Sequence, residues 1–345
     1  MTNIRLLGVA IALAIVAASF FYLRGEKWSR INFLLALAVS AILLFVSIEP
    51  NAVNVVRDVF NLGDFEYGRL LSLLVMSNIG LIFLSLYTKS KVDGVKHLFD
   101  RSLRAAAAEA VEPVSSGPLP DVVVIIPALN EAENLERLLP RIPKTVAGLS
   151  LGVLVVDDGS TDNTKQTALR HGCFVARSFV NRGQGAASRI GYTYLGKQNI
   201  HYGVTMDADN QHRPEDIERL LAPVLANRFD LTIGSRVLGS AEQDSRTRSI
   251  GVAVFSRLVG LLSGVSLTDC SSGFKAFDMR KMAKLDLRED QFQSSEVLIT
   301  AAKGGLRIGE VPIRINRRDV GESRKGTNLS YGILFLRTMA RTWWR

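Results

Sequence analysis

Cysteine is nearly absent from this chain. Cys173 and Cys270 are the two in 345 residues, far apart and without C-x-x-C spacing. This excludes a disulfide scaffold and a zinc ribbon, and it points to a reducing compartment. Histidine is scarce too, four in all, and ten prolines with 28 glycines form no collagen-like or low-complexity period. Charged residues make up 22% against 47% hydrophobic ones, which excludes a disordered chain. The balance is basic, 42 Lys and Arg against 33 Asp and Glu, for a net +9. That total invites a nucleic-acid partner, but its distribution argues otherwise. Residues 1–112 hold 11 basic and 9 acidic residues, 113–302 hold 21 of each, and the last 43 hold 10 and 3. A neutral body with a basic tail points to a phosphorylated ligand or a lipid surface, not to nucleic acid.

The length allows two or three domains at roughly 150 residues each. Three charge-free apolar runs open the chain, 6–23, 31–48 and 70–88. At ~1.5 Å per residue each covers roughly 27 Å, enough to cross a bilayer core. The loop 24–30 holds Arg24, Lys27 and Arg30, whereas 49–68 holds Arg57 against Glu49, Asp58, Asp64 and Glu66. Lys89, Lys91, Lys96, Arg101 and Arg104 come after the third run. The positive-inside rule then predicts an integral protein of the inner (cytoplasmic) membrane, N-terminus outside and everything after 88 in the cytoplasm. Residues 52–60 read as an amphipathic segment at the outer interface. The boundaries expected are a membrane domain over 1–104, a linker over 105–120, a globular domain over 121–328 and an interfacial helix over 329–345.

Past the linker the period changes. Short β-branched runs at 121–126, 153–156, 173–176, 203–206 and 230–233 alternate with helical stretches. One helix is expected to be capped at Asn130, and another has Pro214 in its first turn. Alternation of this kind predicts an α/β domain with a mostly parallel, Rossmann-like sheet and ligands beyond the carboxyl ends of its strands. Three motifs fall at such ends: PALNE at 127–131, DDGSTDNT at 157–164 and MDADNQ at 206–211. The first alone reads as a helix start, and a capping loop accounts for half of the second. In the third, Asp207 and Asp209 leave the strand on one side with Gln211 in reach. Oxygen ligands so spaced suit Mg²⁺ or Mn²⁺, which keeps positions open for phosphates.

With VVVIIPALNE, VLVVDDGSTDNT, MDADNQHRPEDI, TIGSR, SSGFKAF and EVPI…R…GES in this order, residues 121–330 resemble the family 2 glycosyltransferases, and among them the dolichyl-phosphate mannose synthase-like enzymes. The resemblance implies a GT-A fold, a UDP- or GDP-linked sugar donor, a polyprenyl-phosphate acceptor and inverting hexose transfer. Carried over by position, Pro127, Leu129, Glu131, Val155 and Asp157 hold the donor's base and ribose. Asp207, Asp209 and Gln211 hold the metal, and Ala208 lies between donor and metal. Arg236 meets phosphate in the active site, and Arg318 and Arg324 close over the donor pyrophosphate. Arg324 stands where the family often has lysine. Arg248 corresponds to a second acceptor-phosphate arginine, with Gly251 in place of the serine often found just after it. Asp209, Arg236 and Arg318 are the expected catalytic residues. A homo-oligomer is left open.

Attack by a phosphate oxygen needs no strong base, since a phosphomonoester is ionised at neutral pH, with a second pKa near ~6. Asp158 and Asp269 are therefore structural residues or acceptor guides. Two other readings stand beside this one. A transferase acting on a lipid-linked glycan or diacylglycerol hydroxyl would need a general base, for which Asp269 is the candidate; a membrane scaffold with a binding-only fold would have no need of an intact motif set. Residues 250–267 are apolar apart from Arg257 and a few small residues and read as a helix lying against the bilayer. Residues 331–345 set Arg337, Arg341 and Arg345 on one helical face beside Trp343 and Trp344, as expected of a helix on anionic lipid.

Overall fold

A computed structural model describes residues 3–24, 30–49, 51–60, 67–112, 118–241, 246–317 and 328–344. The chain divides into two compact units, Met1–Val95 and Lys96–Arg345.

In the first unit, α1 (Asn3–Arg24) and α2 (Arg30–Ile48) pack as an antiparallel pair, succeeded by α3 (Ala52–Val59) and the first part of α4 (Gly68–Glu109). Gly8 of α1 lies so close to α2 that a Cβ there would collide with Ser47 Oγ, a small-residue contact of the kind membrane helices use. Large apolar side chains point outward: Leu7, Phe21, Leu34, Phe45, Phe83 and Leu84 are exposed. A soluble bundle would bury such residues. Among the described residues, one helix is long and apolar enough to cross a membrane, within Leu70–Glu109, at a mean hydropathy of 2.0. Arg5–Phe21 and Phe33–Ile48 are apolar but shorter.

The second unit begins inside α4, whose last turns bury Ala107 and Ala108 in the globular core. Next along the chain are β1 (Val122–Ala128), α5 (Ala132–Leu138), β2 (Thr145–Val146), β3 (Leu149–Asp157), α6 (Thr164–Arg170), β4 (Phe174–Arg177), α7 (Gln184–Lys197) and β5 (Tyr202–Thr205). After these come α8 (Ile217–Leu225), β6 (Leu231–Ala241), α9 (Arg246–Ser263), β7 (Lys275–Asp278), α10 (Met279–Met282), α11 (Gln293–Lys303), β8 (Ile308–Ile315) and α12 (Asn328–Trp344). The sheet order is β2-β3-β1-β5-β7-β6-β8, with β4 also on β3. Pairs β1/β3, β1/β5, β3/β4 and β6/β8 are parallel. The expected parallel sheet is interrupted by β7, which runs antiparallel to both β5 and β6.

Strand alternation divides the core between the two faces. Val123 and Ile125 of β1 pack towards α7, α11 and α12, whereas Val122, Val124 and Ile126 pack towards α5, α6 and α8. α9 belongs to this unit: Val252, Ser256 and Val259 are buried while Val254 and Leu261 are exposed, so it has an inner face and an outer one. It ends before Gly264, whose φ of +72° takes the chain out of the helix. α12 is two-sided too, burying Phe335 and Met339 and exposing Ile333, Leu336 and Trp344.

Candidate active site

The ends of β1 and β3 are stitched together by side chains that the motifs supply. Asn130 adopts φ +55° and does not cap α5, contrary to expectation: the cap position is Glu131, which makes no side-chain capping bond. Asn130 Oδ1 instead accepts from Thr161 N at 2.8 Å, and Asn130 N donates to Ser160 Oγ at 2.9 Å. Glu131 N donates to Thr164 Oγ1 and Ala132 N to Asp162 Oδ2. Much of DDGSTDNT therefore serves to bind one loop to the other. Pro127, Leu129 and Glu131, at the end of β1, are half-buried.

Asp157 is buried, accepting from Ser160 N at 2.7 Å and pairing with Arg177 Nε at 3.3 Å. Val155 has a fully buried side chain and pairs with Ile126 on one side and Val175 on the other. Its side chain belongs to the core on the α5, α6 and α8 face of the sheet. Asp158 accepts from Arg182 N and, at 2.6 Å, from Gly183 N. Burial raises its carboxyl pKa, against the pull of those two N–H groups. It is a loop anchor.

At the end of β5, Asp207 is half-buried and Asp209 and Ala208 are buried. Asp207 Oδ1 accepts from Gln184 Nε2 at 2.5 Å. Gly273, in the turn before β7, approaches so closely that a Cβ would lie 2.5 Å from the same oxygen. Gln211 N donates to Asp209 Oδ1, and Gln211 Nε2 donates to Asn316 O at 3.4 Å. His212 is buried and stacks on Phe274 with centroids 5.0 Å apart. Burial lowers its pKa, while Asp207 and Asp209 oppose the shift.

Lys275 at the start of β7 is wholly buried and donates to Ser272 O at 2.6 Å and Ser294 Oγ at 2.9 Å. Burial pulls its pKa down to about 8, opposed by Asp207 and Asp269. Asp269 is fully buried and clamps Arg236, Oδ2 to Nε at 2.6 Å, with Ser271 Oγ donating to its other oxygen. Glu310 of β8 holds this loop by accepting from Thr268 N and Asp269 N. The Glu of EVPI is thus a brace.

The structure gathers Asp207, Asp209, Gln211, Arg236, Asp269 and Lys275 at one end of the sheet. Arg248 lies on α9, but its side chain, Arg318 and Arg324 fall outside the described residues. Among the described residues no three His, Cys, Asp or Glu side chains form a metal cage. Two carboxylates and an amide oxygen fit a hard ion that keeps positions for phosphate and water, Mg²⁺ or Mn²⁺. Lys275, Gln184 and Glu310 are additions to the expected set. Lys275 and Glu310 lie inside the motifs SSGFKAF and EVPI, whereas nothing local in Gly183-Gln184-Gly185 announces a partner just past β5.

The family model described as glycosyl transferase family 2 matches residues 123–285. An uncharacterized protein of Methanocaldococcus jannaschii is 35% identical over 63% of this chain and 89% of its own. An undecaprenyl-phosphate mannosyltransferase of Micrococcus luteus is 33% identical over 59% and 86%. The polyprenol monophosphomannose synthase of Mycolicibacterium smegmatis is 30% identical over 63% and 86%. Among solved structures, the glucosyl-3-phosphoglycerate synthase of Mycobacterium tuberculosis with Mn²⁺, UDP-glucose and phosphoglyceric acid superposes with a TM-score of 0.52. It is 21% identical and covers 69% of this chain and 82% of that one, a likeness of fold.

Proposed function

Because the chain belongs to glycosyltransferase family 2, and its relatives include enzymes named for transfer to polyprenyl phosphates, we propose that it moves a hexose from a UDP- or GDP-linked donor to a polyprenyl phosphate. Transfer is at the cytoplasmic membrane face, with inversion, and depends on Mg²⁺ or Mn²⁺. The observation that carries this reading is the Arg236–Asp269 pair. It occupies the carboxylate that a hydroxyl acceptor would need as its base, and in this reading its guanidinium serves the acceptor phosphate. Asp158 is committed to two backbone N–H groups.

In this reading the donor's base and ribose lie over Pro127, Leu129, Glu131 and Asp157, with Val155 beneath. Asp207, Asp209 and Gln211 hold the divalent ion beside Ala208. When bound, that ion neutralises the charge that develops on the departing nucleoside diphosphate. Arg236 and Arg248 orient the acceptor phosphate, whose ionised oxygen attacks the anomeric carbon in line. Arg318 and Arg324 close over the pyrophosphate. Asp207, Asp209 and Arg236 are in place before the reaction begins, so little reorganisation of these charges opposes the transition state. The three N-terminal apolar helices span the bilayer, with the transferase unit in the cytoplasm.

The test incubates membranes containing the protein with a panel of radiolabelled nucleotide sugars and a polyprenyl phosphate, and tracks label into the lipid phase. Label in a mild-acid-labile polyprenyl phosphate sugar is expected for one donor. Label confined to glycans or diacylglycerol would refute the acceptor.

A further inference from the structure

The transferase unit starts at Lys96, within α4, and so includes a short charged stretch that lies upstream of the α/β domain. Asp100 on this stretch is buried. Its Oδ1 accepts from Arg182 Nη2 and lies 3.3 Å from Arg189 Nη2, and its Oδ2 lies 3.0 Å from Arg104 Nε. Arg189 is itself buried, and the other carboxylate shared by Arg182 and Arg189 is Asp290.

The segment 182–185 connects this ion-pair network to the carboxylates at the end of β5. Arg182 N and Gly183 N both donate to Asp158, at 3.1 and 2.6 Å. Gly183 has φ +95°, and a Cβ on it would lie 2.9 Å from Asp290 O. Gly185 N donates to that same carbonyl at 2.8 Å. Gln184 is therefore held on both sides, and its amide reaches Asp207 Oδ1.

We propose that Asp100 is a positioning residue for the carboxylate site: by holding Arg182 it fixes the segment 182–185, and Gln184 thereby orients Asp207. The proposal rests on Asp207 being a ligand of the divalent ion. Without the Asp100 charge, two arginines of low exposure are left to share Asp290. A buried cation left without its counter-ion is costly, and an Arg182 that shifts towards water to relieve that cost would carry Gln184 with it. A change in such an outer partner of a metal ligand typically costs about 10- to 100-fold in metal affinity.

The experiment titrates the full chain, in detergent, with Mn²⁺ alone, monitored by the electron paramagnetic resonance of the free ion. Amide hydrogen exchange over 182–185 is measured in parallel. Asp100→Asn should weaken Mn²⁺ binding roughly tenfold and speed exchange at 182–185, and Asp100→Glu should restore much of both. Gln184→Ala should weaken binding by a similar factor, and the double variant by no more than either single one, because both act through one contact. Unchanged exchange in Asp100→Asn, or losses that multiply in the double variant, would overturn the proposal. A wild-type protein that binds no Mn²⁺ would refute the metal assignment, while exchange would still decide whether Asp100 holds the segment. If Asp100→Asn does not fold, Arg182→Lys takes its place with the same expected outcomes.

Discussion

Asp269 and Arg236 form a two-pronged ion pair with Oδ2–Nε at 2.6 Å and Oδ1–Nη2 at 3.3 Å, the carboxylate fully buried. The pair joins β6 to the loop ahead of β7, and Glu310 of β8 holds that loop from the far side. One arginine of the proposed acceptor site is thus fixed by three neighbouring segments before any ligand arrives.

Removing one member of such a pair leaves a buried charge without its counter-ion. Asp269→Asn is expected to lose about 3–5 kcal/mol of folding stability, read from denaturant unfolding. Asp269→Asn with Arg236→Gln should lose less than the sum of the two single changes, since both delete one interaction. Additive losses would show that the residues act separately.

Asp209→Ala should lower sugar transfer by roughly 100-fold or more, the scale for removing a preorganised charge at a transition state. Membrane insertion, checked by alkaline extraction, should be unaffected. Transfer at the wild-type rate would remove Asp209 from the ion's ligands.

Asp230 supplies the pH dependence that is easiest to assign. It is buried between Arg307 and Lys281, at 2.6 and 2.7 Å, and the hydrogen bond from Arg307 holds its pKa well below the usual 3.8. The folded protein therefore keeps this group ionised where the unfolded chain has begun to protonate. Its contribution is complete above about pH 4 to 5 and is lost as the pH falls through 3.8 towards the depressed native value. Melting temperatures measured between pH 7 and 3 should decline less steeply in Asp230→Asn. Parallel curves would assign the acid sensitivity to other carboxylates.

The exposed tryptophans at the chain's end separate anchoring from folding. Phe335 packs on Phe255 at 4.5 Å between ring centroids, and Met339 is buried beside it, so deleting 331–345 would empty part of the core. Trp343 and Trp344 are 48% and 85% exposed and can be removed without that damage. The double change to alanine should leave the melting temperature within about 2 °C of wild type. Turnover on acceptor embedded in anionic vesicles should fall more than donor binding does. Equal loss of both would refute a lipid-facing role for α12.

The local pattern along the chain was enough to place β1, β3, β4 and β5 to within a few residues, because short β-branched apolar runs are a local signal. It also placed the carboxylates at strand ends and kept the apolar runs apart from the α/β part. Apolar length and charge asymmetry need no partner to be read. Other residues take their roles from partners distant in sequence. Asn130 resembles a helix cap until Thr161 comes within reach, and the Val155 side chain proves to lie in the core on the α5, α6 and α8 face of the sheet. The antiparallel β7 between β5 and β6 brings Gly273 and Lys275 to Asp207, and Asp269 to Arg236. Nothing within reach of a local period specifies that register. The sequence alone thus settled which residues carry charge and where β1, β3, β4 and β5 end to within a few residues, whereas β6 runs to Ala241, well past the 230–233 expected. Tertiary structure decided which charges meet, because burial makes each of them depend on a counter-ion from another part of the chain.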